Sequence, residues 1–187
     1  ALFRTRRRLL TKLLSSAAWL LRQHIQRSCP NPQAVAGVIA VLQTWGDTLN
    51  WNPHLHLLAT RGCLAPTGRW YPAGYTSYKM LARAWREVVL NLLERAAALS
   101  RQEADNLRRK YKKGFLVYGG PWSATDNDLP RRTAEYLARP PLSDGRIAGY
   151  DPQSASALVH HKGLRPYQPK ASAGPGALRP ASSMIGV

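Results

Sequence analysis

The sequence predicts an α+β fold: an antiparallel sheet carrying a His-x-His strand, helices packed on its faces, and a disordered tail. Three observations carry that expectation. A long apolar stripe at helical spacing opens the chain, short β-branched or alternating runs sit between turn residues, and both periods vanish after Tyr150. Helices and strands do not alternate regularly, so a doubly wound parallel sheet is disfavoured, and no internal repeat is visible. Residues 1–150 therefore read as one domain and 151–187 as a low-complexity tail rich in Pro, Ala, Ser and Gly.

From Thr5 to Arg27, Leu9, Leu10, Leu13, Leu14, Ala17, Leu20, Leu21 and Ile25 recur at three- and four-residue steps, which predicts an amphipathic helix ended by Pro30 and Pro32. Ala34 to Thr44 is a β-branched apolar run and reads as a buried strand. After Trp45-Gly46 and the turn at Asn50 to Pro53, His54 to Ala59 alternates as its hairpin partner, and a short strand is expected at Arg69 to Tyr71. Leu81, Trp85, Val88, Leu92 and Ala96 predict a helix over Ser77 to Leu99. Ser100 with Glu103 three positions on is a capping box opening a second helix to about Lys113. Phe115 to Tyr118 reads as a third strand, and Asp128 or Leu129 before Pro130 starts a helix whose body is Arg131 to Arg139.

The 187 residues hold 27 Lys+Arg against 10 Asp+Glu, a formal charge of +17. Such an excess favours a polyanionic partner, nucleic acid or an anionic surface, over a small acidic substrate. Asp47 is the single acid in residues 1–80, against ten Lys+Arg there. No run of about 18 apolar residues exists, so no membrane span is expected. Arg4, Arg6, Arg7 and Arg8 ahead of Leu9 to Leu21 imitate a targeting peptide, but Lys12, Ser15 and Ser16 interrupt the run and favour a helix. Position 1 is Ala rather than Met, which hints at residues removed upstream. Cys29 and Cys63 stand alone, excluding a zinc finger and making a poor disulfide framework, so a reducing compartment is the default expectation.

Two residues apart on a strand, His54 and His56 project to one face while Leu55 and Leu57 point to the core. Two imidazoles on one face can hold one divalent ion; an exposed strand that merely carries two histidines is the blander alternative. Arg132, Tyr136 and Arg139 lie at i, i+4 and i+7 of the last helix, placing two guanidinium groups beside a phenol. Such a face would grip phosphate and favour phenolate, which a side chain of pKa about 10 needs at neutral pH. The alternative is a solvated basic face with Tyr136 packed on the sheet.

The segment VIAVLQTWGDTLNWNPHLHLLATRGCL resembles the HUH block (His, hydrophobic, His) of rolling-circle, two-tyrosine transposases of the insertion-sequence type. KKGFLVYGG and TAEYLARPPLSDGRI resemble the next strand and the tyrosine helix of that family, so the likeness covers about Phe3 to Tyr150 in three ordered blocks. The resemblance implies an HUH endonuclease-like fold and DNA transposition by metal-dependent nicking and rejoining of single-stranded DNA through a 5′-phosphotyrosine. It makes Tyr136 the nucleophile and His54 and His56 ligands of a divalent metal, Mg or Mn. Apart from the resemblance, Arg132 and Arg139 on the Tyr136 face and the basic residues Arg131, Lys112 and Lys113 are the expected DNA contacts. A prokaryotic, cytoplasmic, nucleoid-associated protein is implied, with no membrane partner and the oligomeric state left open.

The chain departs from the family pattern in three places. Gln43 stands where the family often has a histidine, so its amide oxygen or Asp47 would supply a third metal ligand. Pro140 stands four residues after Tyr136, where a second tyrosine is expected, as if one helical turn were deleted. That predicts loss of two-tyrosine strand exchange while leaving single nicking open. The sequence after Tyr150 lacks the family's strand pattern, and no cysteine-rich zinc domain precedes the block, which suggests a truncated copy with residual or lost activity. The competing reading is a degenerate, non-catalytic basic protein that holds single-stranded DNA by its basic runs, Arg4 to Arg8, Arg108 to Lys113 and Arg131-Arg132, and by exposed aromatics such as Trp51, Trp70 or Trp122.

Overall fold

A computed structural model describes residues 2–46, 50–74, 77–119, 128–138, 147–154, 156–159 and 185–186. They divide between two units, one of residues 1–42, 54–120 and 183–187, the other of 43–53 and 121–182. Secondary structure is mixed α+β, with small antiparallel sheets and helices.

The opening apolar stripe folds as one helix, Arg8–Gln26 (α2), which starts three residues later than expected, and a short helix, Leu2–Thr5 (α1), precedes it. The break falls in the run of arginines, where Arg7 supplies no side-chain cap and the first amides of α2 bond back three residues, Leu9 to Arg6 and Leu10 to Arg7, both at 3.0 Å. Along α2, Leu13, Ala17, Leu21 and Ile25 are buried, as the period requires.

Val38–Trp45 (β1) and Trp51–Ala59 (β2) are sheet neighbours joined through five residues, a connection that only an antiparallel pair permits. β1 begins later than its apolar run because Gly37 is held by Thr60, whose Oγ1 accepts from the Gly37 amide at 2.9 Å. Upstream of it, Val35 makes a lone bridge to Leu64. Gly62–Leu64 (β3) and Trp70–Pro72 (β4) form a hairpin whose turn uses Gly68 at φ +80°.

Tyr78–Arg95 (α3) starts at Ser77, whose hydroxyl accepts from the Met80 amide at 3.4 Å. Arg101–Lys110 (α4) carries the expected capping box, with Glu103 Oε2 accepting from the Ser100 amide at 2.8 Å. It ends three residues short of the expected Lys113. Gly114, at φ +100°, turns the chain so closely against the backbone of Ala82 that a Cβ there would clash.

The expected third strand is mostly absent. The Phe115 amide donates to Ala82 O at 3.1 Å, Phe115 and Val117 pack on the core, and only Tyr118–Gly119 (β5) enters a ladder. Leu129–Leu137 (α5) follows. Ile147–Asp151 (β6) then pairs with Ser156–Val159 (β7), so regular structure crosses position 150. Ile185–Gly186 (β8) lies between β2 and β5 in a sheet ordered β1-β2-β8-β5, antiparallel to both neighbours. The expected disorder of the tail concerns mainly 160–184, outside the described residues.

In the first unit, α2 and α3 pack together over one face of β2. Leu13, Ala17, Leu21 and Ile25 of α2, Leu81 and Trp85 of α3, and Leu55 and Leu57 of β2 share one apolar cluster. Each such leucine contributes about 1.5–3 kcal/mol on leaving water. Cys63, with no exposed surface, also lies there and is disulfide-bonded to Cys29, correcting the expectation of two isolated thiols. Spacing could not reveal the pair: 34 positions separate the cysteines, and the Val35–Leu64 bridge brings the end of α2 against β3. Among the described residues no helix is long and apolar enough to cross a membrane.

Candidate functional site

Strand alternation organises the middle of β2. Leu55 and Leu57 are 4% exposed and enter the core, while His54 and His56 take the opposite face, their ring centroids 4.7 Å apart in an edge-to-face arrangement. His56 is the deeper of the two, and its Nδ1 is fully buried. Burial, and then the charge of His54, lower the pKa of the His56 imidazole below its ordinary value. The neutral ring is the form that ligates metal, so these two side chains fit a divalent cation as a pair of nitrogen donors. Among the described residues no third His, Cys, Asp or Glu completes a cluster.

Gln43, on β1, is buried at 6% exposure. Asp47, the other candidate for a third ligand, is outside the described residues. Tyr136 is in the last turn of α5, within the second unit, whereas His54 and His56 belong to the first. Arg132 is exposed one turn before Tyr136 on that helix. Arg131 is exposed and bound to acids of its own helix region, donating to Glu135 at 2.6 Å and Asp128 at 3.3 Å. α5 stops at Leu137, and Arg139 falls outside the described residues, so the expected third member of the Tyr136 face is not among them. Lys112 and Lys113 are exposed in the turn after α4.

Residues 37–168, more than half of the chain, match the family Y2_Tnp, described as "Putative transposase". The chain belongs to this transposase family. It is 30% identical over 132 residues to the transposase for insertion sequence element IS801 of Pseudomonas savastanoi pv. phaseolicola, covering 61% of this chain and 31% of that protein. It is 28% identical over 132 residues to putative transposase y4qJ of Sinorhizobium fredii (strain NBRC 101917 / NGR234), covering 61% and 33%. The chain thus spans about a third of the length of these relatives. No solved structure matches it. The matched segment begins just before β1 and extends beyond β7, so it contains the His-x-His strand and the tyrosine helix.

Trp19 carries no expectation from the sequence, yet it is 56% exposed on α2; of the aromatics expected at the surface, Trp70 is exposed, Trp51 is half-buried and Trp122 is outside the described residues. Its position is a signal: two residues from Ala17, it falls about 200° around the helix from the buried stripe.

Proposed function

We propose that this transposase-family chain nicks and rejoins single-stranded DNA on an HUH-like sheet, with Tyr136 as nucleophile. The observation that carries the reading is the His54/His56 pair, two adjacent imidazoles on one strand face with the inner ring held neutral. They would hold a divalent cation, Mn²⁺ or Mg²⁺, with the amide oxygen of Gln43 as a further donor. When bound, such an ion neutralises charge on the non-bridging oxygens of a phosphodiester.

The Tyr136 hydroxyl oxygen attacks phosphorus, the P–O3′ bond breaks, and the products are a 5′-phosphotyrosine and a free 3′-OH that takes up a proton. The new ester keeps the phosphoryl group activated for rejoining. Arg132, one turn before Tyr136 on α5, would bind the phosphate beside the nucleophile. Lys112, Lys113, Arg131 and Arg139 would hold the flanking phosphates.

The test is covalent capture. Protein incubated with labelled single-stranded DNA bearing an end of a related element, with Mn²⁺, should yield a denaturation-resistant adduct lost in Tyr136→Phe and in His54→Ala/His56→Ala. An adduct that persists in Tyr136→Phe would dismiss this nucleophile. Gel shifts without any adduct from the wild type would favour the binding-only reading, to which Pro140, in place of a second tyrosine, already lends support.

A further inference from the structure

The first unit carries a groove of about 680 Å³ on the outer side of α2 and α3, away from the His-x-His strand in sequence and built entirely from two helices. Its α2 wall is Lys12, Ser15, Ser16 and Trp19, successive positions of one helical strip; Asn91 and Arg95 stand on the α3 wall. The volume lies within the range of small-ligand clefts.

The groove is cationic for a reason that can be traced. No acid occurs in residues 1–46, so the α2 wall has none. α3 has two, Glu87 and Glu94; neither lines the groove, and both are paired with Arg108 of α4 at 2.9 and 2.8 Å. The Asn91 oxygen also accepts from Arg108, at 3.1 Å. At the groove's end Arg6 donates to the carbonyls of Ala96 and Ala97 at 3.1 and 3.3 Å, which sets another cation over the negative pole of α3. The groove is therefore lined by two cationic side chains, two hydroxyls, the Asn91 amide and the exposed indole of Trp19, over an apolar strip of Val88, Leu92 and Ala96.

We infer that this groove is a single-strand nucleic-acid contact, in which a base stacks on Trp19 while Lys12 and Arg95 neutralise the flanking phosphates. The combination decides the occupant: cations alone would serve any polyanion, but an exposed indole between them adds a π-face suited to unpaired bases. The apolar face of α2 is spent in the core, and Val88 and Leu92 of the α3 wall are packed against that core too, so the groove has little to offer a bilayer. This contact requires neither metal nor Tyr136, and so stands or falls apart from the proposed nicking.

Fluorescence anisotropy with labelled oligo(dT), in EDTA and on the Tyr136→Phe background, tests it. Trp19→Ala should weaken binding about 5- to 150-fold. Lys12→Glu/Arg95→Glu should also weaken it and flatten the salt dependence by about 0.7 in log–log slope for each phosphate no longer neutralised. Both variants should melt within a few degrees of wild type, since the three side chains are exposed. Unchanged oligo(dT) affinity in both variants would overturn the inference. So would equal competition by duplex DNA of the same length, or loss of binding only to phosphatidylglycerol vesicles.

Discussion

The two flanks of α3 solve the same problem with opposite chemistry. Toward α4 the helix is held by ion pairs: Arg108 reaches Glu87, Glu94 and Asp105 at 2.8–2.9 Å, and Arg86 pairs with Glu87 at 2.6 Å while donating to Tyr111 O at 2.7 Å. Toward α2 it is held by apolar packing, Leu81 and Trp85 against Ala17 and Leu21, and α2 itself is fastened to β3 by the Cys29–Cys63 disulfide. In a chain with few acids, four of them lie in or beside α4, and the α2 flank has none to offset its cations. Within residues 1–120 every acid but Asp47 belongs to α3 or α4, and the exposed indole of Trp19 lies on the flank of α3 that faces α2.

If that contrast is real, the two flanks should fail under different insults. The largest effect is expected on the α2 side. The disulfide closes a loop of 34 residues' separation that contains the entire His54/His56 hairpin. Loop-closure entropy assigns it about 3–4 kcal/mol. Dithiothreitol, or Cys29→Ala/Cys63→Ala, should lower the melting temperature by an amount insensitive to salt, read by thermal unfolding in low and high NaCl. Equal melting curves with and without reductant would show that the pair does not contribute.

Next in size is the α4 side. Arg108→Ala removes three carboxylate pairings at a site only partly shielded from water, its side chain 26% exposed. Partly exposed pairs contribute about 0.2–1 kcal/mol each, so a decrease of about 1–2 kcal/mol is expected, shrinking in 1 M salt where the Debye length is about 3 Å. A salt-independent decrease would mean that the stem of Arg108 matters through packing instead.

The same flank should also be the acid-sensitive one. Burial raises the Glu87 carboxyl pKa, but hydrogen bonds from Arg108 and Arg86 and their charges more than reverse this, leaving it below the usual carboxylate value. A lowered folded pKa contributes stability that is present above the unfolded value of about 4.3 and is lost as pH falls through the folded one. Between pH 5 and 3, wild type should therefore lose more stability than Glu87→Gln, by denaturant titration; parallel decline in both would remove Glu87 from the account.

How much of this was legible beforehand follows from which forces are local. The stripe of α2, the capping box of α4 and the alternation that buries Leu55 and Leu57 beneath the two histidines are encoded within a few residues, and all are present in the fold. The family was also legible, because its blocks are short and ordered. What failed was set by residues distant in the chain. Phe115 gives its amide to Ala82 rather than to a strand, and Cys29 meets Cys63 through the intervening bridge of Val35 to Leu64. The flanks of α3 were invisible for the same reason: Arg108 looked like one more member of a basic run, and its three acids are up to 21 positions away.

The smallest stability effect should come from the residue with the largest effect on binding. Trp19 is 56% exposed and leaves the core cluster of α2 untouched, so Trp19→Ala should change stability by no more than about 0.5 kcal/mol. Paired with Arg108→Ala the variant gives a double dissociation: one lowers the melting temperature with oligo(dT) affinity unchanged, the other lowers affinity with melting unchanged. A Trp19→Ala protein that melts several degrees lower would place the indole among the residues that hold α2 against α3, and the difference between the flanks would then be one of packing rather than of purpose.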